Sequence, residues 1–475
     1  MTIRSLLAIA TVAVAALAVP CGASPEHPCL QEARAGKEGA EIDWRQGEAD
    51  ILADHVQLTY SDRFVKAGES YFSPDGSKVI FQAVEVPREG EAAEEFYAMF
   101  IASVVYDKAT KRIQGLSDFK RLSPPGSANT CGWFHPSDPD VVIFASTIGP
   151  PSESDPPGFQ RATGRYKWMF PPEMRIVTCN LSNADGSERS LKVMVEMEDA
   201  YTAEGSFSAD GRHLVYCSLK TNEGDLFITD MNSGETALVV QARGYDGGPF
   251  FSPDGKRLCY RSDRRGDSLL QLFVADLAFN DAGSIIGLQR EYQLTDNDAV
   301  NWCPFWHPSG RFLVYSTSDL GHQNYEIFML DADPGNLPGS NGTIKYGTRA
   351  RRITHASRAD VLPAFNVDGS WMMWTSQRAE DGSSQLWAAR FAMAPDRRLA
   401  SGDRGEGDAA VQRQADRENR IVVEDPDSGR VFIYDMTTHT LSEYDIRTHT
   451  LKAVSDPADI ELFERLHKAQ QEQQP

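Results

Sequence analysis

The chain has 475 residues, 41% of them hydrophobic, and a formal net charge of −21 from 68 acidic against 47 basic side chains. That apolar content suffices for a packed core and excludes a disordered chain, while the length allows two or three domains or one large all-β body. Acidity on this scale repels phosphate backbones, and with no Lys/Arg-dense run it excludes nucleic acid as a partner; it reads as a device for solubility.

The first stretch is MTIRSLLAIATVAVAALAVPCGAS. Arg4 precedes an apolar run from Leu6 to Val19, then Pro20 and small residues, the pattern of a secretory leader cleaved near Ala23. The run is too short to span a membrane comfortably, and Pro20 directly before Cys21 disfavours a lipid anchor there. The expectation is a signal peptide over 1–23, a lead-in over 24–54, and a periplasmic or secreted mature chain with no integral membrane span. Seven cysteines occur without any C-x-x-C, and their pairing stays open. Cys131 and Cys303 each stand four residues before a histidine, in CGWFH and CPFWH. Positions i and i+4 of a strand lie roughly 13 Å apart, too far to share one ion.

From His55 to Phe391 one phrase recurs. Its aromatic anchors are Phe72, Phe134, Phe207, Phe251, Trp306 and Phe365. A turn follows each anchor: SPDG, HPSD, SADG, SPDG, HPSG and NVDG. Pro presets φ there, Asp or Ser bonds back to the backbone, and Gly accepts the left-handed position. Short strands come next, such as KVIF, HLVY and WMMW, then a polar turn and a third strand such as QLFVAD or EIFMLD. Twelve residues upstream of five anchors stands an aliphatic residue: Leu122, Val195, Val239, Leu294 and Ile353. Four short strands made six times predict an all-β, six-bladed β-propeller of four-stranded blades over 55–392. His55–Thr59 is a closing strand without a unit of its own, and the last unit lacks one. We therefore expect the N-terminal strand to complete the sixth blade and remove an open edge.

At these residues the chain resembles the TolB-like propeller repeat, shared with the propellers of some exported peptidases. The resemblance rests on F-S-P-D-G, S-D-R, Q-L-F-V-A-D and L-T as they stand here, and covers about Val56 to Phe391. It concerns the propeller region only, without the α/β domain that precedes the propeller in TolB proteins. It implies binding of a protein or peptide partner in the cell envelope through the channel mouth.

Two insertions enlarge second turns: VEVPREGEAAEE in blade 1, and Gly149–Met174 in blade 2. Strand order puts both on one face of the disc, at the mouth of the channel. The second presents Arg161, Arg165, Tyr166, Trp168, Met169 and Phe170, an aromatic and arginine-bearing set suited to anchoring a partner. Asp246, Asp298, Asn301 and Asp360 lie in loops expected to converge at the same mouth. Asx turns between strands use such residues as well. His135 and His307 fill a turn slot and read as turn caps.

No G-x-S-x-G, phosphate-binding Gly loop or H-E-x-x-H is present, so no catalytic residue and no cofactor are assigned. The alternative is a metal-dependent polysaccharide lyase-like enzyme with a channel histidine cluster, for which His322 and His355 share a face. After Phe391 a charged linker over 393–419 leads to a small C-terminal β/α appendage over 420–475, a β-hairpin with a helical tail.

Overall fold

The computed structural model describes residues 43–391, except 153–157, 161–164, 168, 333–343 and 346–349, together with parts of 420–463. The expected leader and linker lie outside the described residues.

Six antiparallel sheets form the body, each a meander of four strands. The inner strands are Phe64–Phe72, Asn129–Phe134, Thr202–Phe207, Asp246–Phe251, Asn301–Trp306 and Asp360–Phe365. Each touches the inner strand of the next blade, and the sixth touches the first, so the sheets close into a propeller. The second strands His213–Ser218, Phe312–Thr317 and Trp371–Ser376 are buried at every position, and the other three at all but their ends. Both of their faces pack on neighbouring blades, which is why the sequence reads there as continuous apolar runs rather than alternation.

The expected closure is present. Leu52–Gln57 pairs antiparallel with Gln385–Phe391 and completes the sixth blade. It begins three residues earlier than the sequence suggests; Leu58 and Thr59 carry the pairing on, with Leu58 N–H donating to Leu386 O at 2.8 Å. Blade 4 gains a fifth strand, Ile344–Lys345, parallel to its outer strand.

The anchor turns share one design. The first side chain of the turn bonds the third residue, as Ser73, Ser208 and Ser252 hydroxyls donate to Asp75, Asp210 and Asp254 at 2.6 Å. His307 substitutes for the serine: its Nδ1 accepts from Ser309 N–H at 3.1 Å. His135 does the same with Ser137 at 3.4 Å. Both histidines are turn caps. His307 is also walled by Phe312, Phe365 and Phe391, and burial pushes its pKa down to about 4.

A short helix, Trp44–Glu48, precedes the closing strand. Adding a Cβ at Gly47 would place it 2.9 Å from the His355 ring, so the helix sits tightly on the loop entering blade 6. Residues 420–453 form a separate four-stranded sheet, Arg420–Glu424, Val431–Asp435, Thr440–Asp445 and Thr450–Ala453. Phe432 and Phe463 make its small core. The ring is complete without it. Among the described residues no helix is long and apolar enough to cross a membrane.

Candidate functional site

Every inner strand breaks register at one shared place (Phe64–Phe72 also near its start), and at that shared break its backbone turns left-handed. The residues are Glu69, Cys131, Glu204, Gly248, Cys303 and Leu362, with φ between 40° and 60°. Only one of the six is glycine. Left-handed backbone costs an L-residue roughly 1–2 kcal/mol, so five positions hold strain that the blades on either side enforce. A bulge of this kind re-aims a side chain, and here six of them line one axial cavity of about 40 Å³.

Below the bulges, one pleat further along the strands, Tyr71, Trp133, Phe250 and Phe305 meet ring to ring at 4.9–6.2 Å. They form a floor across the channel. Above them stand the charges. Glu204 accepts from Arg261 at 2.5 Å and from Gly248 N–H at 2.6 Å. Glu69 accepts from the Thr130 hydroxyl at 3.0 Å and Cys131 N–H at 3.4 Å through one oxygen, and from the Tyr71 hydroxyl at 3.3 Å through the other. Each carboxylate thus satisfies the bulged amide of the following blade. Burial pushes the Glu69 carboxyl up, with the Glu204 charge adding to it. Burial likewise drives the Cys131 and Cys303 thiols well above their usual range, so both are poor nucleophiles. The five described cysteines are all free.

The first insertion ends at Glu95, and the next residue, Phe96, packs together with Met169 and Phe170 of the second against one cluster that includes Tyr201 and Ala203. The Phe170 ring lies 5.0 Å from Tyr201 and 5.3 Å from Tyr245. The Arg261 guanidinium in turn stands 5.7 Å from the Tyr245 ring, which links the loop base to the charged pair. Arg165 and Tyr166 belong to a hairpin, Gly158–Gln160 with Arg165–Lys167. Arg161 and Trp168 lie outside the described residues.

Asp246, Asn301 and Asp360 share one register, at the first position of their inner strands, and all are fully buried. Their bonds run within the blades and to the neighbouring blade. Asn301 donates to Asn297, Ala299 and Gln271, and Asp246 accepts from Ala242 N–H. Burial pushes Asp246 up to about 6, against the pull of Ser262 and Arg264. Asp298 is 99% exposed, 3.5 Å from Arg265. The mouth set therefore divides: one residue faces solvent and three sit inside the blades.

Asp360 leads to a second feature. Arg378, fully buried, donates to Asp360 at 2.9 Å and to both oxygens of Glu48 at 3.0 and 3.1 Å. Its guanidinium lies 4.2 Å from the Trp44 ring and 4.9 Å from that of Trp374. Glu48 also holds His55 at 2.7 Å and the His355 amide at 2.8 Å. Burial opposes its charge, but the bonds from His55 and Arg378 keep the carboxyl below its ordinary value. This latch stitches the lead-in segment to the last blade, more than three hundred residues away in sequence. The sequence offered one weak signal, the pairing of Trp44 with an acidic residue one turn later.

Among the described residues no three His, Cys, Asp or Glu side chains are grouped to hold a metal. His322 contacts Tyr325 at 3.3 Å, and His355 sits at the latch.

Residues 177–339 match the model of a family described as TolB beta propeller domain. Dipeptidyl-peptidase 5 of Porphyromonas gingivalis is 38% identical over 203 residues, 36% of this chain and 29% of that protein. The Tol-Pal system protein TolB of Francisella tularensis subsp. holarctica is 25% identical over 104 residues, 22% of this chain and 23% of that protein. The match thus spans less than a third of either relative. The crystal structure of TolB from Acinetobacter baumannii superposes over 69% of this chain and 64% of its own, with 15% identity and a TM-score of 0.39. With the closed ring, the recurring anchor phrase and the match over residues 177–339 in hand, the propeller of this chain is TolB-like.

Proposed function

We propose that this is an exported, non-catalytic propeller that binds a protein or peptide partner in the cell envelope through the face bearing the two insertions. One observation carries the reading: Phe96, directly after the first insertion, and Met169 and Phe170 of the second pack against a single cluster beside the channel. Two loops anchored together next to a cavity make a composite surface, with aromatic and arginine side chains of the kind that dominate binding energy. The likeness to a Tol-Pal system protein supports the same class of role. The peptidase likeness does not extend to chemistry, since the sequence contains no G-x-S-x-G. No geometry favours the lyase reading over this one.

The test is capture from envelope extract with the whole chain and with a variant in which residues 150–173 are replaced by a short turn. Loss of the partner from the variant is the expected result; identical partners in both samples remove the loop from the site. Export is checked by mass spectrometry of the purified protein, where a mature terminus near Ser24 is expected.

A further inference from the structure

The geometry points to a binding site for an organic cation, an ammonium or guanidinium head group, held by Glu69 above the aromatic floor of the channel. This rests on the reading just given and deepens it, by naming the chemistry the channel contributes to recognition.

The cavity draws its lining from all six inner strands and from Arg261. Its volume of about 40 Å³ accommodates a few water-sized atoms, the size of a head group rather than of a whole residue. Two carboxylates face it against one guanidinium. Glu204 has both oxygens in short bonds, to Arg261 and to Gly248 N–H. Glu69 differs. Every one of its partners is a neutral donor, and its second oxygen has only the 3.3 Å contact from the Tyr71 hydroxyl. Among the described residues no cationic side chain forms an ion pair with it.

The floor supplies the other half of the recognition. Tyr71, Trp133, Phe250 and Phe305 all line the cavity, and aromatic faces attract cations most strongly where both are shielded from water. An anion would meet two carboxylates. A neutral apolar group would strip water from Glu69 and return nothing. A metal ion would need a third ligand of the kind the described residues do not group there. The raised pKa of Glu69 agrees: a buried carboxylate without a counterion resists ionisation, and an arriving cation would release its proton.

The shared chemistry has two sources, a Lys, Arg or terminal amine of a bound peptide, or a free small amine. The experiment uses the full chain and follows Trp133-sensitive fluorescence and calorimetric heats with n-butylammonium, methylguanidinium and neutral n-butanol. We expect both cations to bind and butanol not to. Glu69→Gln, which keeps an acceptor for Thr130 and Cys131, should weaken the cations at least tenfold with melting unchanged. On the unmodified protein, heats in buffers of different ionisation enthalpy should show a proton released on binding, which decides the matter if the variant misfolds. Equal binding of butanol, no binding of either cation, or undiminished binding to Glu69→Gln overturns the inference. A short lysine peptide binding more tightly than butylammonium assigns the site to a peptide arm; the reverse assigns it to a free amine. Cation binding together with unchanged capture after loop replacement would keep this site and discard the face, and the opposite pair of results would do the reverse.

Discussion

At the scale of single residues, the most deeply buried ion pairs among the described residues are those of Arg378. A guanidinium with no exposure, between Glu48 and Asp360 and against indole faces, is stable only because both carboxylates are present. Removing it leaves two buried carboxylates without their arginine, Glu48 with only His55 beside it. Arg378→Ala should therefore lower stability by about 3–5 kcal/mol, read by chemical denaturation at neutral pH. Arg378→Lys should recover only part, since a single ammonium cannot fork to two carboxylates. His307 makes the pH prediction at this scale. It is 6% exposed, and its pKa falls from 6.5 in the open chain to about 4 when folded. Between those values the unfolded chain binds the extra proton. Stability is thus complete above about pH 6.5 and drains away as the pH falls toward 4. At about 1.4 kcal/mol per pKa unit, the full effect is on the order of 3 kcal/mol. His307→Asn, which copies the Asn366 of the next turn, should flatten that part of the pH profile relative to the parent, measured as melting temperature across the window.

At the scale of elements, the recurring phrase made six blades legible, because a turn with a mechanism and a buried strand of apolar residues recur with fixed spacing. The same regularity hid the channel. A bulge has no residue signature when five of six positions are not glycine, and Glu69 and Glu204 read in sequence as ordinary strand residues. Asp246, Asn301 and Asp360 were legible as a set but not as to direction, because first positions of inner strands and true loop residues share the same Asx chemistry. The latch escaped for another reason: its partners are contributed by opposite ends of the propeller sequence, and only ring closure brings them together. The closing strand makes this testable. Deleting residues 44–57 would bare the edge of Gln385–Phe391 and leave Arg378 facing only Asp360. The expected outcome is a lower, broader calorimetric transition and association through the bared edge. Phe170 belongs to this scale too, since it pins the large insertion to Tyr201 and Tyr245. Phe170→Ala should speed proteolysis within 150–173 while shifting the main transition little, because the blades beneath keep their own core.

At the scale of the whole molecule, a propeller is a chain of similar sheets whose stability depends on every neighbour being present, and the ring removes the weak ends that an open array would have. Here the seam lies within blade 6, where three strands come from Asp360–Phe391 and the fourth from Leu52–Gln57. Among the described residues nothing after Phe391 supplies a strand to any blade. The four-stranded C-terminal sheet, with Phe432 and Phe463 at its centre, is built like a blade, yet among the described residues none of its strands pairs with the ring. The two ends of the chain should therefore behave in opposite ways when cut. Ending the chain at residue 392 should leave the main melting transition within about a degree of the parent and its cooperativity intact, because every described ladder strand and latch residue of the ring is kept. The measurement is differential scanning calorimetry of the two truncations beside the full chain. A large drop on removing 393–475 would mean that the C-terminal sheet braces the ring through contacts beyond the blades, and the seam would then have to be sought there and not at Arg378.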